Sequence, residues 1–377
     1  MVFHMIKYYY WIGSFLIHSL LEEKETLKLV SVVFRHGDRT PIVPVEQYPN
    51  DPYKDYTYGN QNHSVLTESG KWRAYKLGEF LKNNYRTFLD STPESVEARC
   101  TDVNRTKESL NFVLKALYPN FVIPKITNPI FNDSLLLPQM CKKFIIDYLK
   151  LSKSPNVMKE IIELDDFMKN LSLLTGKTIR TFSDIHLIYT TLENEKFLNF
   201  TLPSWTEDLF PDGNILKGAA LQYKLLNYNE NLKEQSGGIL IRKFIDDMLS
   251  VKYGTMKKKL FLYSAHDITV VAVLQALGVY FPHVPKFSSA VILELHEIIG
   301  NYFVKVVHYL GVPGEKVELK IPNCKIMCPL DKFTRLMKNV LPPKVNLSCS
   351  EYKMRQDDEI YTKDLLKIRK IFKLALT

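Results

Sequence analysis

Leu27-Lys28-Leu29-Val30-Ser31-Val32-Val33-Phe34-Arg35-His36-Gly37-Asp38-Arg39-Thr40-Pro41 is the stretch from which the rest of the chain can be read. Its first half is a short apolar run rich in Val and Leu, the pattern of a strand buried on both faces. The polar cluster falls where that strand ends and the chain must turn. Gly37 lets the backbone come close to a ligand. Two arginines four residues apart flank one histidine. Guanidinium groups are always charged and match phosphate oxygens in bidentate fashion. A histidine between them can serve as nucleophile or as general acid or base. The residues therefore describe an anion site of phosphate type with a reactive group inside it.

A second buried run, Leu260-Phe261-Leu262-Tyr263-Ser264-Ala265, ends in the same way, in His266-Asp267 before a helix that stops at Gly278. Asp267 could be no more than a helix cap. In open α/β sheets, however, ligands bind at the carboxyl edge of parallel strands, and both polar clusters are expected there. A third cluster, Arg99-Cys100-Thr101-Asp102-Val103-Asn104-Arg105-Thr106, precedes a helix with Leu110, Val113, Leu114 and Leu117 on one face. Thr101 or Asp102 would cap it, and a helix N-terminus suits phosphate. Arg105 is read as a structural ion-pair residue.

These patterns predict an α/β fold with a mainly parallel central sheet flanked by helices. Residues 42–65, rich in Pro, Tyr, Asn and Asp, read as a loop, and Trp72 to Leu81 as a helix. Residues 120–135 read as a Pro- and Asn-rich linker, and residues 140–235 change character. Val157 to Leu174 carries one wide apolar stripe, and Ser183 to Leu198 reads as a second helix. The expectation is a smaller all-helical inserted domain at 131–239, with the α/β domain formed by 24–130 and 240–377. His186, on the second helix, is given no chemistry, and Trp205 reads as core. Ser289 to His296 and Tyr302 to Leu310 alternate around Gly300-Asn301, a β-hairpin in which His296 and His308 are facial residues. His283 is left unassigned.

The segment Arg35-His36-Gly37-Asp38-Arg39-Thr40-Pro41 matches the RHGxRxP signature, and His266-Asp267 the HD motif, of the histidine acid phosphatases, the acid phosphatase and phytase branch of the histidine phosphatase superfamily. The wording of the whole chain most resembles the secreted acid phosphatases of hymenopteran venoms. The resemblance implies a phosphohistidine mechanism with His36 as nucleophile and Asp267 as proton donor. It also implies phosphate binding by Arg35, Arg39, His266 and a third arginine. Its RSTDxxRT pattern points that last role to Arg99, with Cys100 standing where serine is usual. No cofactor and no metal are implied, and the substrates would be small phosphomonoesters at acid pH. A phytase-like inositol-polyphosphate phosphatase shares both motifs. A secreted binding protein that keeps the pocket without turnover is the rival from another class, and a membrane-tethered receptor domain a third.

The chain of 377 residues, 46% hydrophobic and 24% charged, can bury a large core. A net charge of +9 reads first as a matter of solubility, with steering of anionic substrates as the functional reading. Beyond Lys257-Lys258-Lys259 there is no dense basic block, so nucleic acid is not expected as a partner. Tyr8 to Leu21, after Lys7, reads as the apolar part of a signal peptide covering 1–23, with an uncleaved anchor as the alternative. Residues 364–377 are basic and amphipathic, without an anchor-like apolar run. Sequons at Asn62, Asn132, Asn170, Asn199 and Asn346 also point to a secreted, extracellular glycoprotein, while Asn104 is expected to be too near the site to be modified. Five cysteines in an exported chain suggest two disulfides whose connectivity the spacing leaves open. The resemblance implies Cys141–Cys349 and Cys324–Cys328, with Cys100 free. It also leaves a homodimer open.

Overall fold

The computed structural model describes residues 26–57, 64–343, 349 and 352–376. The expected signal peptide and the sequons Asn62 and Asn346 fall outside the described residues. The first strand, β1 (Thr26–Arg35), is followed by helix α1 (Glu68–Tyr85), β2 (Val96–Cys100), α2 (Asn104–Leu117) and the short β3 (Lys125–Ile126). Then come α3 (Lys142–Ser152), α4 (Pro155–Ile162), α5 (Asp165–Thr175), α6 (Phe182–Phe197), α7 (Asn214–Leu226) and α8 (Glu230–Glu234). Helix α9 (Gly237–Lys252) leads into β4 (Leu260–Ala265) and α10 (Asp267–Ala276). Strands β5 (Ala290–Ile298), β6 (Asn301–Tyr309), β7 (Lys316–Leu319) and β8 (Cys328–Pro329) precede α11 (Leu330–Met337) and α12 (Thr362–Leu376).

One mixed sheet has the order β3-β2-β4-β1-β5-β6-β7, with β8 on β6. Strands β3, β2, β4 and β1 run parallel, and β5, β6 and β7 continue antiparallel from β1. Strand β1 therefore stands in the middle. Its alternation places Val30, Val32 and Phe34 with α1 and α2 on one face, and Leu29 and Val33 with α9 and α10 on the other. The hairpin β5–β6 turns at Ile299-Gly300, both with positive φ, 49° and 73°, which suits a tight primed turn. Gly278, at φ +71°, ends α10 as expected.

Between β3 and β4 the described residues form helices and no strand. The single stripe expected over Val157 to Leu174 is two helices instead. The chain breaks at Glu163-Leu164, where Leu164 is buried, and Asp165 and Asp166 favour a fresh helix N-terminus. Trp205 packs into the core of this helical region, edge-on to Tyr48. Both disulfides form as the resemblance implied, Cys141–Cys349 and Cys324–Cys328, and Cys100 is a buried free thiol.

Candidate active site

Register builds the site. Arg35 lies beside Ala265 in the parallel pair β1–β4, and Cys100 beside Ser264 in β2–β4. The residues that follow, His36, Thr101 and His266, must then emerge side by side at one sheet edge. The His36 N–H donates to the Ala265 carbonyl at 3.1 Å, and the His36 and His266 rings meet edge to face, 5.6 Å between centroids. A cavity of about 590 Å³ opens there, lined by Arg35, His36, Arg39, Arg105, His266 and Asp267 at its polar end.

His36 is 4% exposed and held at both ring nitrogens. Nδ1 lies 2.8 Å from the Gly37 carbonyl, which can only accept, so Nδ1 carries the proton. Nε2 is then the lone-pair nitrogen, and it accepts from Arg105 Nε at 3.1 Å. Burial, followed by the charge of Arg105, lowers the His36 pKa well below the usual imidazole value. Gly37 is demanded by a close approach: a Cβ there would meet the Gly70 carbonyl oxygen at 2.2 Å.

Two arginines are aimed by carboxylates. Arg35 Nη2 donates to Glu193 Oε2 at 2.8 Å, and Nη1 donates to Glu193 Oε1 at 3.3 Å and to the Pro285 carbonyl at 2.6 Å. Its guanidinium lies over the Phe287 ring at 3.7 Å, and Asp267 Oδ2 is 3.8 Å away. Burial opposes its charge, but Glu193 and Asp267 outweigh it and raise the pKa. Arg39 pairs in bidentate fashion with Glu46, at 2.8 and 2.5 Å. Among the described residues, Arg35 Nε and Arg39 Nε are buried donors with no partner.

The third arginine differs from the expectation. Arg99 does not line the cavity; it binds Asp133 Oδ1 at 3.1 Å. Arg105 does line it, donating to His36 and, through Nη1, to Ser64 Oγ at 2.6 Å. The reason is placement: Arg99 belongs to strand β2, whereas Arg105 is the second residue of α2, in the turn that faces the sheet edge. Burial and then Arg39 pull the Arg105 pKa down to about 9, which still leaves it cationic in acid. Nor do Thr101 and Asp102 cap α2, whose N-cap is Val103. Thr101 Oγ1 instead bonds His266 Nε2 at 3.0 Å and Thr106 Oγ1 at 2.8 Å.

Asp267 opens α10, with Oδ1 accepting the Ile268 N–H at 2.7 Å. Burial would raise its pKa, but Arg35, then His186, hold it well below the usual carboxylate range. Burial and Arg105 lower His266 in the same way. The ligand-free site thus holds neutral imidazoles and an ionised carboxylate. His186, given no chemistry from sequence, lines the cavity on α6. Glu193 was missed because its partner Arg35 lies 158 residues away in sequence, and Glu46, seven residues from Arg39, because it falls in a segment read only as loop. Asn132, Asn170, Asn199 and also Asn104 are exposed.

A nucleophile-type imidazole inside a ring of guanidinium groups, at the carboxyl edge of parallel strands, is the arrangement of a phosphoryl-transfer enzyme that works through histidine. The sequence matches the family described as Histidine phosphatase superfamily (branch 2) over residues 26–309, and the chain belongs to that family. It is 40% identical over 341 residues to venom acid phosphatase Acph-1 of Apis mellifera, covering 86% of this chain and 88% of that protein. It is 34% identical over 353 residues to prostatic acid phosphatase of Homo sapiens, covering 88% and 90%. The phytase structure of Citrobacter braakii shares the fold, with TM-score 0.67 at 17% identity over 87% of this chain and 100% of that one.

Proposed function

We propose that the chain is an acid phosphatase that hydrolyses small phosphate monoesters through a phosphohistidine. The observation that carries this is the pairing of His36 Nε2 with Arg105, inside a cavity where Arg35 and Arg39 keep unpartnered donors. His36 Nε2 attacks phosphorus in line, the P–O bond to the leaving alcohol breaks, and the proton on Asp267 passes to that alcohol. Arg35, Arg39, Arg105 and His266 hold the phosphoryl oxygens as charge spreads over them. Water then attacks the phosphohistidine and gives its proton back to Asp267. The arginines supply the positive charge.

An acid optimum follows, though not from the free enzyme's protonation, since Asp267 is ionised there. A bound phosphoryl group brings negative charge that raises the pKa of Asp267, and phosphate esters take up their second proton near pH 6. Binding and proton uptake are linked, so activity rises as pH falls. In this reading residues 24–130 and 240–377 form the phosphatase domain and 131–239 a helical cap. Export rests on the N-terminal apolar stretch, the disulfides and the exposed sequons. No helix among the described residues is long and apolar enough to cross a membrane.

The test is p-nitrophenyl phosphate hydrolysis at acid and neutral pH, with and without EDTA. EDTA-resistant turnover that is greater in acid and abolished in His36→Ala is the expected result. Turnover that survives His36→Ala, or requires divalent metal, overturns the mechanism.

A further inference from the structure

Helix α6 stands between two cavities. Ser183, His186, Leu187 and Thr190 line the catalytic one. Tyr189, Glu193, Lys196 and Phe197, on the adjoining helical face, line a second cavity of about 420 Å³. The far wall of the second cavity is formed by the loop 281–289 and the end of β6: His308 and Leu310, two residues apart, face it together, while Tyr309 between them packs in the core on the other side.

This second cavity holds buried polar atoms that nothing satisfies among the described residues. His308 is 1% exposed, and neither of its ring nitrogens has a partner. His283 Nε2 and Ser289 Oγ are buried without one too. The two imidazoles lie 5.6 Å apart between centroids. Buried polar groups are normally satisfied by protein, ordered water or a ligand, and a cavity beside these leaves room for the last. The walls are aromatic, with Phe210 and Phe281 added to Tyr189 and Phe197.

We propose that this cavity is a second ligand site, for a small uncharged aromatic molecule bearing a hydroxyl group, a phenol. The ring packs against the phenylalanines, and the hydroxyl donates to one imidazole and accepts from the other. Burial lowers the pKa of His308 to about 4, so its imidazole is neutral near pH 7 and offers one donor and one acceptor. An ionised ligand group would be desolvated at that depth without an opposite charge, because the Glu193 carboxylate is taken by Arg35. Lys196, Lys286 and Asp212 stand at the exposed rim.

The test is calorimetric titration with 4-methylphenol, with toluene as the same shape lacking the hydroxyl. Saturable binding at a Kd of about 1 mM or tighter is expected, at least about tenfold tighter than toluene. His308→Phe removes both ring nitrogens, and Leu310→Trp fills the cavity by a separate route; each abolishes the binding. Leu187→Trp, which fills the catalytic cavity instead, leaves it unchanged. Absence of saturable binding, equal binding of toluene, or any other pattern among the three variants overturns the proposal.

Discussion

Taking away the Arg105 side chain removes the N–H that His36 Nε2 accepts and one of the charges proposed to hold the phosphoryl oxygens. Arg105→Met should lower kcat/KM for p-nitrophenyl phosphate by roughly 10²–10³. Arg99→Met should leave kcat/KM within about threefold, yet lower the thermal midpoint, because the fully buried Asp133 keeps the Leu136 N–H but loses its ion-pair partner, at a cost of roughly 3 kcal/mol. Reversal of that pattern would return the phosphate-binding role to Arg99. The two arginines sit in one short motif, and nothing in the motif says which faces the site. That is decided by where β2 ends and α2 begins, a matter of tertiary packing. Arg35, His36, Arg39, His266 and Asp267 were legible because each follows a buried strand whose end is visible in the apolar pattern. The carboxylate partner of Arg35 was not, since Glu193 meets it across a sequence separation of 158.

Helix α6 delivers Glu193 to Arg35, so its contributions of charge and aim can be separated. Glu193→Gln keeps a hydrogen-bonding group but removes a negative charge from the anion site, and inorganic phosphate should inhibit severalfold more tightly. Glu193→Ala removes the aim, and kcat should fall at least about tenfold. Steady-state kinetics with phosphate as inhibitor distinguishes the two; equal behaviour of the variants would deny Glu193 a positioning role. The same helix shows the limits of periodicity. Ser183 to Leu198 reads as a helix from sequence, but its two lined faces do not show there. The break between α4 and α5 was also hidden, because Glu163-Leu164 carries neither Pro nor Gly and the apolar spacing runs through it. The hairpin β5–β6 was legible because alternation and Gly300 agree.

Across the whole molecule, the pH dependence of stability follows from proton counting. His36, His266 and His308 have folded pKa values below the unfolded imidazole value, and Asp267 one below the ordinary carboxylate. In both cases the unfolded chain binds more protons in acid. The stability these four groups contribute should therefore be lost as pH drops below about 6.5, the His308 part by about pH 4 and the carboxylate part below about pH 4, while Glu195, raised to about 8 by burial, and Asp247, raised to about 6 by burial, contribute with the opposite sign. Thermal melts of the wild type and His308→Phe isolate the His308 part, and the variant should lose less stability than the wild type between about pH 6.5 and 4, by a few kcal/mol. An unchanged slope would mean that His308 titrates normally. The Cys141–Cys349 bond closes a loop across a separation of 208 residues. Cys141→Ser should destabilise by up to about 5 kcal/mol in the chain-entropy account, read from the denaturant midpoint.

The central place of β1 has a consequence in time. His36 leaves the ribosome early, but its strand is completed only by β4 and β5, with Ala265 about 230 residues behind Arg35. At about 5–20 residues per second, His36 waits roughly ten to fifty seconds for the second half of its own site. During synthesis β1 is an unpaired apolar strand, open to wrong pairing. A chain interrupted before β4 carries the whole RHGxRxP signature but has no pocket around it.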